Sequence, residues 1–532
     1  MLSPELRRGL PTPVVVSRLA PLLSRYVDNN FILLGFTYGF SVNFKGVECE
    51  VEGRNSLSVQ NNTGPALEKI KSELVLGRMK GPFLDKPFKN FKIIPLALRE
   101  KSKPGKFRLL FNLSYPYDLT AVNVGIDQKY KTVHYASILD AIDILKEMPG
   151  AYMAKVDIQD AFRIIPLRPE EYHLMGCKLL GYHFYDVCLP MGCAAACQLF
   201  ERVSDSLVWL LKDLCKIHTI VKVLDDFLFI LPDFNSCKWV LDNFSNMCDH
   251  IGVPLAPEKT VGPAQIITFL GIEVDSQKGV IRLPKDKLNK YLNKISVMIG
   301  KEWVSLSELK SLIGNLQFCT AVVKGGRCFL RRMHDATMGK LDPSQPVFVG
   351  SEVREDLRVW SLFLEQYNGV HFISTFSMPL SPINVFTDSS KAGFGGFSGE
   401  LFIFGTFPRE CSIFHISILE LYPIFLFMEI LPEMFRNKTV LFHCDNSAVV
   451  EILNKQTSKD THIMRLLRKI VLLSLKFNIN ILASHIPGKD NIIADRLSRG
   501  QVNVSLLAEW GLKTRINVPL HLQPTPALVR SA

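Results

Sequence analysis

Two adjacent carboxylates interrupt a pair of apolar runs in IVKVLDDFLFILP, residues 220–232. The runs on either side of Asp225 and Asp226 are rich in strand-forming residues and apolar on both faces, which predicts strands covered from both sides. A two-residue connection containing Asp is an ordinary hairpin turn, so the pair reads as the join between the strands. Half-buried carboxylates in contact need a countercharge, and a divalent cation is the usual one. The chain must therefore bury a hairpin and bring further hard ligands to its tip.

Asp157 is the candidate ligand. In AYMAKVDIQDAFRIIPL it ends an apolar strand, and the turn that follows leaves its carboxylate at the sheet edge. Together the three aspartates have the make-up of a site that holds two metal ions roughly 4 Å apart for in-line attack on phosphorus.

A chain of 532 residues exceeds what one core organises, so two to four domains are expected. At 47% apolar residues it is not a disordered chain. ISILELYPIFLFMEILPEMF is broken by Glu420, Glu429 and Glu433, so it reads as a buried helix, not a membrane span. MLSPELRRGLPTP lacks the apolar core of a secretory signal. The 12 cysteines are dispersed, and Cys193 and Cys197 sit among small apolar residues as packing. These features predict a soluble intracellular protein, cytoplasmic or nuclear, with no membrane partner. A formal charge of +11 suits a polyanionic partner without proving one.

Along the chain, residues 1–64 read as an N-terminal extension and 65–275 as a mixed α/β domain. FKIIPLALREKSKPGKFRLLF is a strand, a basic turn at Pro104-Gly105 and a strand, clustering Lys103, Lys106 and Arg108 near its tip. Helices dominate 276–340, where Ser305 and Glu308 form a capping box. Pro-rich breaks mark 341–382 as a connection, a second α/β pattern fills 383–500, and 501–532 is a tail.

That second pattern has its own carboxylates. NVFTDSSKAGFGGFSG places Asp388 where an apolar strand ends, SILELYPIFLF puts Glu420 on an apolar helix, KTVLFHCDNSAVVEIL ends a strand at Asp445, and ASHIPGKDNIIADRLSR carries Asp495 early in a helix. Taken singly, Asp445 could be an N-cap and Glu420 a salt-bridged core residue.

The stretches KVDIQDAF, LPMGCAAACQLFERV, VKVLDDFLFI, APEKT and ITFLGIEV follow one another in an order and spacing that resembles the palm motifs of reverse transcriptases. The resemblance implies a multidomain α/β and α+β fold: a right-hand polymerase of fingers, palm and thumb, then a connection and an RNase H-like α/β domain. It implies that Asp157, Asp225 and Asp226 hold two Mg²⁺ ions, with Mn²⁺ as the alternative, and that Phe162 excludes a ribose 2′-hydroxyl. Lys103 and Arg108 then contact the incoming dNTP, Lys259 lies near the leaving pyrophosphate, and Pro190 and Gly192 support template and nucleotide. Phe269, Leu270 and Gly271 form the primer grip. Val223-Leu224 departs from the pattern of retroviral enzymes, which usually carry Tyr two places before the aspartates.

Asp388, Glu420, Asp445 and Asp495 similarly resemble the four-carboxylate site of ribonuclease H, again with two ions, and His485 and Asn491 fall at that family's spacing from Asp495. The implied partners are an RNA template, a DNA primer, the RNA–DNA hybrid and dNTPs. FRLLFNLSYPYDLTAVNVGI, LDD and SHIPGKDNIIADRLSR look like DIRS-like, tyrosine-recombinase retrotransposons, which implies a separately encoded recombinase. THIMRLLRK places His462 and Arg465 at the spacing of a recombinase box, but it falls where the nuclease fold needs a helix. The competing reading is a degenerate or domesticated retroelement protein that binds nucleic acid without catalysis.

Overall fold

The computed structural model describes residues 9–100, 105–323, 325–366, 368–371 and 381–525. The chain divides into two units, Met1–Gly279 and Val280–Ala532. The mixed α/β multidomain class read from the sequence is what the chain adopts.

In the first unit, helices α1 (Asn29–Tyr38) and α2 (Thr63–Val75) precede the hairpin β1 (Leu96–Glu100) and β2 (Phe107–Phe111). Next come β3 (Tyr152–Asp157), α3 (Ala196–Cys215), β4 (Ile220–Val223), β5 (Asp226–Leu231), α4 (Phe234–Ile251) and β6 (Val261–Ala264). The four later strands form an antiparallel sheet in the order β6-β3-β5-β4. Phe227 and Phe229 are fully buried, and both rings meet Phe244 of α4 at 5.1 and 5.2 Å.

The hairpin turn lies one residue earlier than the sequence suggests. Leu224 and Asp225 form the loop, and Asp226 is already the first residue of β5, opposite both Val223 and Asp157. Leu224 takes φ +53°, the positive value that a primed two-residue turn needs at its first position, so the strands' twist, not the side-chain type, sets the join.

Residues 14–40 contribute to the core of the first unit. Val14, Leu19, Ile32, Phe36 and Phe40 share one core cluster with Phe200, Phe227 and Phe244. A second two-residue turn, Leu270-Gly271, joins β7 (Ile266–Phe269) to β8 (Ile272–Asp275), with both turn residues at positive φ.

The second unit opens with the helices α5 (Lys285–Ile299), α6 (Leu306–Cys319), α7 (Arg331–Thr337) and α8 (Ser351–Gln366). The Ser305–Glu308 capping box is present at the start of α6.

Strands β9 (Ile383–Ser389), β10 (Gly393–Ser398) and β11 (Leu401–Thr406) then run antiparallel. After α9 (Ile416–Ile430), β12 (Thr439–Cys444) pairs parallel with β9. Helices α10 (Ser447–Lys455) and α11 (Thr461–Lys476) lead to β13 (Asn480–His485), parallel to β12, and to α12 (Ile492–Ser498).

The sheet does not end with these elements. The short strand β14 (Thr514–Arg515) pairs with β11, Leu512 is buried with Phe402 and Leu497, and the Tyr422 hydroxyl donates to the Leu522 carbonyl. The segment 501–525, which reads from sequence as a tail rich in Pro and Leu, is anchored by these few contacts. Among the described residues, no helix is long and apolar enough to cross a membrane.

Candidate functional site

The register of the first sheet sets Asp157 and Asp226 directly opposite each other at neighbouring strand ends, with Asp225 on the turn between. Residues paired across strands project to the same face, so the carboxylates converge. Asp157 is 5% exposed. Its carbonyl accepts from the Ala256 amide at 2.9 Å, and the adjoining turn, Pro257–Lys259, brings the Lys259 ammonium to both Asp157 oxygens at 2.7 and 2.8 Å. Lys155, two residues back on β3, lies 3.1 Å from Asp226 Oδ1.

Burial, and then the charges of Asp157 and Asp226, push the Asp225 carboxyl above its ordinary value. Lys259 is raised against its own desolvation by its hydrogen bond to Asp157 and by the carboxylates around it. The countercharge predicted for the pair is thus supplied in part by two lysines.

A cleft of about 560 Å³ gathers most of the other predicted residues: Arg108, Asp157, Phe162, Pro190, Gly192, Asp225 and Lys259 all line it. Phe162 sits on a short 3₁₀ turn entered through Asp160 at φ +52°, and its ring meets Phe200 edge-on at 5.8 Å. The neighbouring Arg163 is clamped between Glu73 of α2 (2.8 Å) and the buried Asp186 (2.7 Å) at the end of the strand Tyr182–Asp186, which fixes that turn.

Gly192 is irreplaceable on geometry. At φ +117°, a Cβ there would lie 1.9 Å from the Phe111 carbonyl oxygen. The loop is tied to β2 through the Phe111 amide and Met191 carbonyl (2.9 Å), and Asn123 bridges the Gly192 carbonyl (3.0 Å) and the Ala194 amide (2.8 Å).

Phe269, Leu270 and Gly271 occupy the β7–β8 turn and are not part of this cleft's lining. Lys103 lies outside the described residues.

The second unit builds a separate centre. Asp388 on β9 (5% exposed) accepts from Ser498 Oγ at 2.5 Å, and Glu420 on α9 (3% exposed) lies 3.7 Å from Cys444 Sγ. Glu420, Cys444 and Asp445 offer donor atoms within 4.8 Å of one another.

Burial, then the charges of Asp388 and Asp445, lift Glu420 to about 9. Asp388 is also raised, first by burial and then by Asp445 and Asp495, while the Ser498 hydroxyl opposes the rise. Asp495 accepts from Arg499 at 2.8 Å.

His485 is exposed, its Nε2 3.2 Å from the Asp445 carbonyl. Asn491 is buried and donates to the Thr387 carbonyl at 3.0 Å, leaving its own Oδ1 buried without a protein partner.

Both donor sets suit hard divalent cations. Each crowds carboxylates whose mutual repulsion raises a member's pKa, and the second also leaves a buried oxygen, Asn491 Oδ1, without a protein partner.

Sequence reasoning overlooked Lys155, Asn123, Arg163, Cys444 and Ser498. Lys155 was legible from strand alternation, two residues before Asp157, and Ser498 from helical spacing, three after Asp495. Asn123 and Arg163 act through tertiary contacts that leave no local pattern.

Residues 100–274 match the family described as reverse transcriptase (RNA-dependent DNA polymerase). Gag-Pro-Pol polyproteins of human T-cell leukemia virus 3 are 26% identical over 220 residues (strain 2026ND) and 24% over 216 residues (strain Pyl43). Each match covers 39% of this chain and 14% of the polyprotein, so the chain spans only a small part of those relatives.

Two solved structures of the foamy viral protease-reverse transcriptase share the fold at 15% identity and a TM-score of 0.51. One, labelled dRH and in complex with double-stranded DNA, covers 84% of this chain and 73% of its own. The other, in complex with an RNA/DNA hybrid, covers 91% and 61%. Residues 100–274 thus carry a reverse transcriptase domain of the retroviral and retroelement type.

Proposed function

We propose that the chain is an RNA-directed DNA polymerase with ribonuclease H activity, copying retrotransposon RNA into DNA and degrading the RNA of the hybrid. The observation that carries this reading is the register that sets Asp226 opposite Asp157 with Asp225 on the adjoining turn, beside a cleft that Asp157 and Asp225 line together with Arg108, Phe162, Gly192 and Lys259.

Asp157, Asp225 and Asp226 would hold two Mg²⁺ ions, or Mn²⁺, which supply charge for activating a primer 3′-hydroxyl and neutralising a triphosphate. The chain's own residues do the rest. Arg108 offers a planar fork to phosphate oxygens, with Lys103 as its expected companion. Lys259, drawn here onto Asp157, is a cation within reach of a leaving pyrophosphate and can give it a proton.

Phe162, braced on Phe200, occupies the place of a side chain that rejects a 2′-hydroxyl. Pro190 and Gly192 support the template and the nucleotide, and Phe269, Leu270 and Gly271 form a tight turn suited to gripping the primer strand.

In the second unit, Asp388, Glu420, Asp445 and Asp495 would hold the metal pair for hydrolysis of RNA. His485 stands at the rim for proton transfer, and Asn491 fixes the loop that follows it. The domain plan is fingers and palm over 65–275, thumb over 276–340, connection over 341–382 and nuclease from 383. The protein's setting is a DIRS-like element whose recombinase is a separate chain.

The test is primer extension on an RNA template with Mg²⁺, comparing dNTPs with ribonucleotides while following the labelled RNA strand. DNA synthesis lost in Asp225→Ala with RNA cleavage retained, and the reverse in Asp445→Ala, are the expected results. Tight hybrid binding with neither activity in the unmodified protein would leave a nucleic-acid binder.

A further inference from the structure

The segment that carries His462 and Arg465 forms the first turns of α11, and its polar face does not join either carboxylate centre. It closes a pocket of about 300 Å³ against α7 and the start of α8. Five cationic side chains line it, Arg331, Arg332, Lys459, Arg465 and Arg468, against two carboxylates, Asp335 and Glu352.

The cations differ in how far they are already engaged. Arg331 is held by Asp335 at 2.7 Å, while Arg332 meets the buried Asp356 at 3.1 Å and the exposed Glu352 and Glu355 at 3.5 and 3.2 Å. Arg468 is 9% exposed, touches Asp356 only at 3.4 Å, and leaves its Nε buried without a hydrogen-bond partner.

A buried guanidinium N–H left unsatisfied is unfavourable, so this one is a standing donor for an oxygen. Lys459 is exposed beside it. The neighbouring Asp460 is engaged in capping α11 through the His462 and Ile463 amides. Exposed Glu352 and Glu355 arms are weak, solvent-screened partners that an incoming anion can displace.

We infer that this pocket is an anion site that takes one backbone phosphate of the nucleic-acid strand the protein holds, apart from both carboxylate centres. The ligand class follows from the donors. Planar guanidinium forks and an ammonium converge on a space that fits one phosphodiester group, and arginine forks match phosphate oxygens. Such a contact positions a strand without reading its bases. The inference rests on the function proposed above, since it takes nucleic acid as the occupant.

The experiment measures binding of a labelled RNA–DNA hybrid to the full chain by fluorescence anisotropy across a salt series. The protein is compared with Lys459→Ala/Arg465→Ala, which spares the buried Arg468, and with Lys513→Ala as a distant control. One lost phosphate contact lowers the slope of log affinity against log salt by about 0.9, with weaker binding on every sequence and no change in the control.

A parallel arm follows the Tm of the unmodified and the doubly substituted protein with inorganic phosphate. If the hybrid is bound and the double variant keeps both affinity and slope, the inference is overturned while the proposed function stands. If the unmodified protein binds no hybrid, the proposed function falls with it. A phosphate-dependent Tm shift lost in the double variant would then mark a site for free phosphate, which also overturns the nucleic-acid assignment.

Discussion

In the first unit, Lys259 and Lys155 stand against Asp157 and Asp226, whereas in the second Asp388 and Glu420 meet a hydroxyl and a thiol, Ser498 and Cys444. The first arrangement sets an ammonium group against each of two carboxylates, while burial and its neighbours' charges raise the third, Asp225. The second buries Glu420 almost completely, and its proton is the counter-ion until a cation replaces it. Similar acidic sets can therefore be made tolerable by pairing or by protonation, and the two should answer differently to pH and to substitution.

The sharpest separation is expected at Glu420. Its folded-state value, about 9, exceeds the ordinary 4.5, so the folded chain keeps a proton that the unfolded chain has lost. Stability consequently declines as pH rises from about 4.5 and stops declining above about 9. In chelator, Glu420→Gln should equal the unmodified protein near pH 5 and exceed it by several kcal/mol near pH 9, read by denaturant unfolding. An advantage that does not grow with pH would mean that the second centre is not held by protonation. Added Mg²⁺ should narrow the gap by favouring the ionised carboxylate.

Lys259→Ala strikes the other centre. Removing a cation that raises no repulsion of its own among Asp157, Asp225 and Asp226 should slow primer extension by roughly 10²-fold, the lower range for a positioned proton donor, with RNA cleavage unaffected. Equal loss of both activities would contradict independent centres.

A smaller effect is expected at the cleft loop. Gly192→Ala forces a Cβ onto the Phe111 carbonyl and should destabilise by about 1–3 kcal/mol, lowering Tm and raising the KM for nucleotide. Smallest is Cys444→Ser, which places a hydroxyl where the thiol touches Glu420. It should shift stability by about 1 kcal/mol or less and leave DNA synthesis unchanged.

Much of this was legible along the chain. Asp157, Asp225 and Asp388 lie in or beside apolar strands, and strand alternation and helical period are local properties, so the elements that carry these residues follow from spacing alone. The exact turn was not legible, because Leu224 looks like a strand residue and only the twist of the paired strands places it at positive φ. The places of residues 14–40 and 512–522 were not legible for a related reason: apolar side chains in a segment do not reveal which distant core they complete.

Residue types and their order along the chain were enough to determine two acidic sets on two α/β patterns, with a hairpin tip at one and a helix-borne glutamate at the other. Only the tertiary structure decided what balances them. Lys155, Lys259 and Ser498 reach their carboxylates through strand register and helix packing, and Arg468 is left with an unpaired buried N–H by contacts between distant helices. Electrostatic partnership depends on distances of a few ångströms and on burial, and neither is a property of neighbours in sequence.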